Sequence, residues 1–142
     1  GQAGKILTHF LETAGIKRNE LYITNLIKYR LARDGKRPGT LANRPASSVE
    51  IAFSSKYLKE EMDIIKPLVI VTLGNVPLKG ISFAYDINDI TLADAHGCMY
   101  EINKELYLFP MYHPASTIYR PELKTVYEAD LKSFGEKLKQ IS

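Results

Sequence analysis

The sequence predicts an α/β fold of three layers, α/β/α, around a mainly parallel central sheet. Two observations carry that reading. "LVIVTLG" (68–74) is a continuous apolar run closed by a glycine, the pattern of a strand buried on both faces. Segments with helical periodicity alternate along the chain with strand-like runs, the arrangement of a parallel sheet covered by helices. With 142 residues, 45% of them hydrophobic, the chain suits one domain over 1–142 with a single core.

The elements follow in order. "GKILTHFLETAG" (4–15) sets Ile6, Leu7, Phe10, Leu11 and Ala14 at helical spacing and stops at Gly15. "LYITN" (21–25) has the β-branched and aromatic content of a short strand. Residues 28–46 contain Gly35, Pro38, Gly39 and Pro45 and read as a loop. In "SSVEIAFSSKYLKEEMDIIK" (47–66), Ser47 and Glu50 form an S-x-x-E capping box, and the helix should end before Pro67. "NVPLKGIS" (75–82) reads as a short helix, and 83–95 as irregular. "GCMYEI" and "LYLFPMY" flank "NKE" as a hairpin. The last helix runs from Pro121, well suited to a first turn, to about Ile141. Its apolar stripe is Leu123, Val126, Tyr127, Leu131, Phe134, Leu138 and Ile141.

Composition excludes several classes. The single cysteine, Cys98, allows no internal disulfide and no multi-cysteine zinc or iron–sulfur site built from this chain alone. It reads as a buried apolar residue, and the expected compartment is the reducing cytoplasm. No apolar run reaches the roughly 18 residues that span a bilayer, and the N-terminus lacks a signal-peptide pattern. The phosphate-loop, dinucleotide-binding and nucleophile-elbow motifs are absent. Net charge is only +3, yet Lys28, Arg30, Arg33, Lys36, Arg37 and Arg44 face one carboxylate, Asp34. That local +5 leaves the rest of the chain at −2. It reads either as a phosphate-binding footprint or as a solvated, mobile loop.

Open α/β sheets bind ligands outside the carboxyl ends of their strands. Three such ends, Thr24–Asn25, Gly74–Asn75 and Tyr112–His113, fall on one rim if their strands are parallel. The Asn25 carboxamide presents a donor beside an acceptor, a match for N3–H and O4 of uracil that cytosine reverses. Alternatively, Asn25 closes a strand and satisfies loop backbone. His113 can donate to a developing oxyanion or simply cap a turn. The "PAST" segment (Pro114–Thr117) opens a turn whose free N–H groups can bind phosphate, which makes Ala115, Ser116 and Thr117 candidates, with Arg120 close behind. Backbone amides at Gly74 and Asn75 can take an anion for the same reason. His9 and His96 read as structural or solvent-facing.

Taken in order, "GQAGKIL", "YITNLIKYR", "IKPLVIVTLG" and "LFPMYHPASTIYR" resemble the uracil-DNA glycosylase superfamily, nearest the bacterial and archaeal family 4 branch. The resemblance covers nearly the whole chain. It implies a DNA-repair enzyme that flips uracil out of the stack and hydrolyses its N-glycosidic bond. It implies that Asn25 reads the base and that His113 stabilises uracil O2 as charge builds. Residues Ala115 to Arg120 would enter the DNA, and the basic loop, with Lys28, Arg30 and Arg44, would grip phosphates. Family 4 enzymes often hold a [4Fe–4S] cluster on four cysteines. Tyr29 and approximately Phe53 stand where two of these fall, so no cluster and no other metal or cofactor is expected. The family's first strand, its water-activating carboxylate and an aromatic that stacks on uracil precede the G-x-A-G segment, where this chain begins at Gly1. The expectation is therefore an N-terminally truncated domain without that strand, weak or inactive alone. It would bind uracil-containing DNA and no membrane, as a monomer, or as an oligomer if another chain replaces the strand. A non-catalytic nucleic-acid-binding module and a small-molecule or nucleotide-binding protein stay open, because one fold hosts many functions.

Overall fold

A computed structural model of the chain describes residues 2–28, 31–88 and 90–142. Helix α1 (Gln2–Ala14) ends at Gly15, whose φ of 71° is the left-handed value that favours glycine after a helix. A 3₁₀ turn (Arg18–Glu20) follows, then a hairpin of β1 (Ala32–Asp34) and β2 (Leu41–Asn43). Helix α2 (Ser48–Ile65), strand β3 (Val69–Leu73) and helix α3 (Asn75–Ala84) come next. The one-turn helix α4 (Leu92–Ala95) leads into β4 (Tyr100–Asn103) and β5 (Leu106–Met111). The short α5 (Ser116–Tyr119) and the long α6 (Leu123–Ile141) complete the chain.

The main sheet has the order β3-β5-β4. β3 runs parallel to β5 from Val69↔Tyr107 to Leu73↔Met111, whereas β4 is antiparallel to β5. The sheet is thus mixed rather than mainly parallel, because the "NKE" turn brings β5 straight back along β4. Alternation along β3 and β5 sends side chains to two cores. Ile70, Leu106 and Leu108 meet Leu58, Met62, Leu78 and Ile81 of α2 and α3. Val69, Val71, Leu73, Phe109 and Met111 meet Phe10, Ala14, Tyr127, Leu131 and Phe134 of α1 and α6. The expected three layers are present. Phe134 ties the second core together, with its ring centroid 5.8 Å from Phe10 and 5.0 Å from Phe109.

The structure departs from expectation at five places. "LYITN" forms no strand; among the described residues it has no sheet neighbour, and Tyr22 and Ile23 lie exposed. Leu26 behind it is buried against α3, where a Cβ on Gly80 would come within 2.6 Å of its methyl. The 28–46 loop contains the β1–β2 hairpin, turned by Gly39 at φ 78°. The 83–95 stretch is not all irregular: α3 runs on to Ala84, and Thr91 caps α4 by accepting from the Asp94 N–H. The last helix starts at Leu123, after a turn in which the Lys124 N–H donates to the Pro121 carbonyl. Cys98 is half-buried.

The capping box at α2 is present. The Glu50 N–H donates to Ser47 Oγ at 3.2 Å, and the Ser47 N–H to Glu50 Oε1 at 3.0 Å. Arg44 adds a two-pronged contact to the same carboxylate, at 2.7 and 2.8 Å. Hydrogen bonding by Arg44, then by the Ser47 backbone, lowers the Glu50 pKa from 4.5 to about 2. A carboxylate with a lowered folded-state pKa stabilises fully above its ordinary value and loses that contribution as pH falls through the folded one. Relative to Glu50→Gln, the wild-type advantage in urea unfolding should therefore hold above about pH 4.5 and vanish by about pH 2. Ser47→Ala should cost about 1 kcal/mol at neutral pH in the same measurement.

Candidate active site

The ends of β3 and β5 meet. The Gly74 N–H donates to the Met111 carbonyl at 2.8 Å, carrying the parallel ladder one step past the strands. Gly74 has φ 92°, and a Cβ built on it would lie 3.4 Å from His113 Cβ. Backbone conformation, more than lack of room, therefore calls for glycine there. Gly74 has no side chain to cap α3, so the helix opens at exposed Asn75 without a side-chain hydrogen bond. Two of the three expected rim positions are brought together.

His113 is exposed, and its Nδ1 accepts a hydrogen bond from the Ala115 N–H at 3.0 Å. In the neutral ring the proton then sits on Nε2, which is left as the donor for another molecule. The turn behind it differs from expectation. Ala115 is engaged by His113 Nδ1, and the N–H groups of Ser116, Thr117 and Ile118 donate to the carbonyls of His113, Pro114 and Ala115. The backbone amides read as phosphate ligands are thus already bonded. What the turn presents outward instead is Ile118, 51% exposed, and Tyr119, 85% exposed. Arg120 Nε contacts Glu122 at 3.1 Å in solvent, a pairing weak enough to exchange for a phosphate.

Asn25 is held from a different direction. Tyr22 Oη donates to one Glu61 oxygen, and Thr24 Oγ1 donates to the other at 3.1 Å. Lys28 Nζ lies 3.0 Å from Glu61 and donates to Thr24 Oγ1 and to the Asn25 carbonyl. Glu61 is only 18% exposed. Burial pushes its pKa up, but hydrogen bonds from Tyr22, Lys28 and Thr24 outweigh that and lower it overall. The Tyr22 hydroxyl, bonded to that carboxylate, is raised. Among the described residues the Asn25 carboxamide makes no hydrogen bond and none joins it to His113. Glu61 carries no signal in the sequence: in "KEEMD" it is indistinguishable from its exposed neighbour Glu60.

The cations sort into two groups. Lys28 is committed to Glu61 and Arg44 to Glu50. Arg33, Lys36 and Arg37, on or beside the β1–β2 turn, are exposed, and among the described residues no ion pair holds them. Arg30 lies outside the described residues. The basic loop is therefore part scaffold and part open charge.

The family model described as "Uracil DNA glycosylase superfamily" matches residues 1–134. The chain belongs to that superfamily. It is 34% identical over 139 residues to a type-4 uracil-DNA glycosylase of Archaeoglobus fulgidus, covering 96% of this chain and 65% of that protein. It is 36% identical over 140 residues to one of Sulfurisphaera tokodaii, covering 96% of this chain and 60% of that protein. It is also similar to a DNA polymerase of Bacillus phage SP01, 31% identical over 133 residues, which are 93% of this chain and 13% of the polymerase. The chain thus spans less than two thirds of the length of those two glycosylases.

An iron–sulfur cluster on four thiolates does not fit this glycosylase-superfamily chain, whose one cysteine is Cys98. Among the described residues no His, Cys, Asp and Glu group could hold a metal ion, and no helix is long and apolar enough to cross a membrane. Phe53 stacks edge-on with Tyr57 on an exposed face of α2, with centroids 5.4 Å apart; Tyr29 lies outside the described residues. Glu61→Ala should release Tyr22, Thr24 and Lys28 together. In hydrogen-exchange mass spectrometry, peptides covering 21–28 should exchange at least several-fold faster, with peptides of α6 unchanged.

Proposed function

We propose that the protein is a uracil-DNA glycosylase that hydrolyses the N-glycosidic bond of a flipped uracil. The observation that carries this is His113, whose Nδ1 is occupied by the Ala115 N–H at the rim beside Gly74. As the C1′–N1 bond breaks, its electron pair passes to N1 and spreads onto O2 of uracil. The Nε2–H of His113 donates to that oxygen without needing a proton from solvent. The sugar, left oxocarbenium-like, takes water at C1′; that water gives up a proton to solvent, and the departing uracil anion gains one at N1. The Asn25 carboxamide, on a segment tied to Glu61, pairs with N3–H and O4 of uracil. Ile118 and Tyr119 fill the space left in the stack, as apolar wedges do in distorted DNA.

Phosphate contacts come from Arg33, Lys36 and Arg37, with Arg120 and the Ser116 hydroxyl nearer the flipped base, while the Thr117 hydroxyl already donates to the Pro114 carbonyl at 2.7 Å. Lys28 and Arg44 act in this reading as scaffold, and Arg30 remains a candidate. The protein acts on DNA in the cytoplasm as a monomer and needs no metal or cofactor.

The test is release of uracil from a single-stranded oligonucleotide by the full-length gene product at low salt. Salt-dependent binding without base release would make it a binding module instead. His113→Ala should slow single-turnover release by about 10²–10³-fold, the cost of one oxyanion donor, with DNA affinity nearly unchanged. Asn25→Asp should erode discrimination of uracil from cytosine. Replacing Arg33, Lys36 and Arg37 by Ala should weaken binding and flatten the salt dependence, with the log–log slope on single strands falling by about 0.7 per lost contact.

A further inference from the structure

We propose that His96, oriented by Asp130, is a positioning residue for His113 that acts through the ring of Tyr112; the inference rests on the functional reading above. His96 ends α4 at the same rim, where the Gly97 N–H donates to the Pro110 carbonyl at 2.9 Å, flanking β5 on the side away from Gly74. His96 Nδ1 lies 2.7 Å from Asp130 Oδ2 of α6. Asp130 is 8% exposed and among the few polar residues buried in the fold. The His96 ring packs on Tyr112, with centroids 4.8 Å apart and planes at 39°.

The local backbone is built around this pair. Gly97 has φ 74°, and a Cβ on it would lie 2.2 Å from Asp130 Oδ1, so neither conformation nor space admits another residue. Lys137 Nζ donates to the Gly97 carbonyl at 3.2 Å. A buried carboxylate is costly unless it is bonded, and simple packing is served as well by apolar side chains. What the Asp130–His96 bond supplies is one fixed ring orientation.

That orientation is passed to Tyr112, the residue between Met111 and His113. Met111 is fully buried in the α1–α6 core, while Tyr112 packs against the α2–α3 core. With His96 on its ring, Tyr112 is held on both sides, and the chain leaves it in one direction into His113 and the Ala115 turn. The Ala115 N–H bond to Nδ1, which sets the His113 tautomer, depends on that exit.

The experiment compares His96→Ala, Asp130→Asn and Asp130→Ala. In the full-length gene product, His96→Ala should lower single-turnover uracil release at saturating DNA by at least tenfold, with DNA affinity within twofold. Asp130→Asn keeps an oxygen that accepts from Nδ1–H and should stay within about threefold of wild type, whereas Asp130→Ala should match His96→Ala. In the 142-residue chain, ring ¹⁵N spectra should show the Nε2–H tautomer at His113. His96→Ala should mix the tautomers and speed Ala115 amide exchange at least tenfold. Unchanged release with an unchanged tautomer in His96→Ala overturns the proposal, as does an equal fall of rate and affinity. If the wild-type gene product releases no uracil, the glycosylase reading fails, while the His113 tautomer and Ala115 exchange still decide the positioning claim.

Discussion

The parallel ladder between Val69–Leu73 and Tyr107–Met111 is the constraint on which the site depends. Parallel strands end at the same edge of a sheet, so pairing Leu73 with Met111 makes Gly74 and His113 neighbours. The Gly74 N–H bond to the Met111 carbonyl locks the two exits together. Both faces of the ladder are covered, which leaves the rim as its open edge and confines polar chemistry to it. Leu108, Phe109 and Met111 are fully buried, so β5 cannot shift register without moving core side chains to the wrong face.

A second principle is how charge is allotted. Cations adjacent in sequence do different work according to whether a carboxylate stands opposite them. Glu50 and Glu61, both on α2, take Arg44 and Lys28; the first pair braces the start of α2 and the second ties down the segment that carries Asn25. The hairpin holds Arg33, Lys36 and Arg37 clear of any such partner among the described residues. Under the proposed function, affinity for DNA and placement of the Asn25 amide are therefore separable, and substitutions in the two groups act on different quantities.

Local rules made much of the fold legible. The capping box at Ser47, the glycine stop at Gly15, the buried run at 68–74 and the hairpin around Asn103–Glu105 each follow from a few adjacent residues, and each stands in the structure. "LYITN" was misread because strand content in a sequence says nothing about whether a neighbouring strand exists. Its Tyr22 and Thr24 hydroxyls bond Glu61 instead. The "PAST" amides were misread because a tight turn bonds its own N–H groups before any ligand arrives. Glu61 and the His96–Asp130 pair were invisible because their partners lie 33 or more positions away along the chain.

By itself the sequence determined the three layers, the motifs and the family, since periodicity, capping and the order of "ITN", "VTLG" and "HP" are properties of neighbouring residues. It also determined that these 142 residues hold one thiol, Cys98, because that is a count. Only the tertiary structure decided which nitrogen of His113 is free, which cations are committed, and what stands behind Tyr112. The physical reason is range. Backbone preference and amphipathic patterning act over one or two turns of chain, whereas hydrogen bonds and ion pairs join whatever the packed elements bring within about 3 Å.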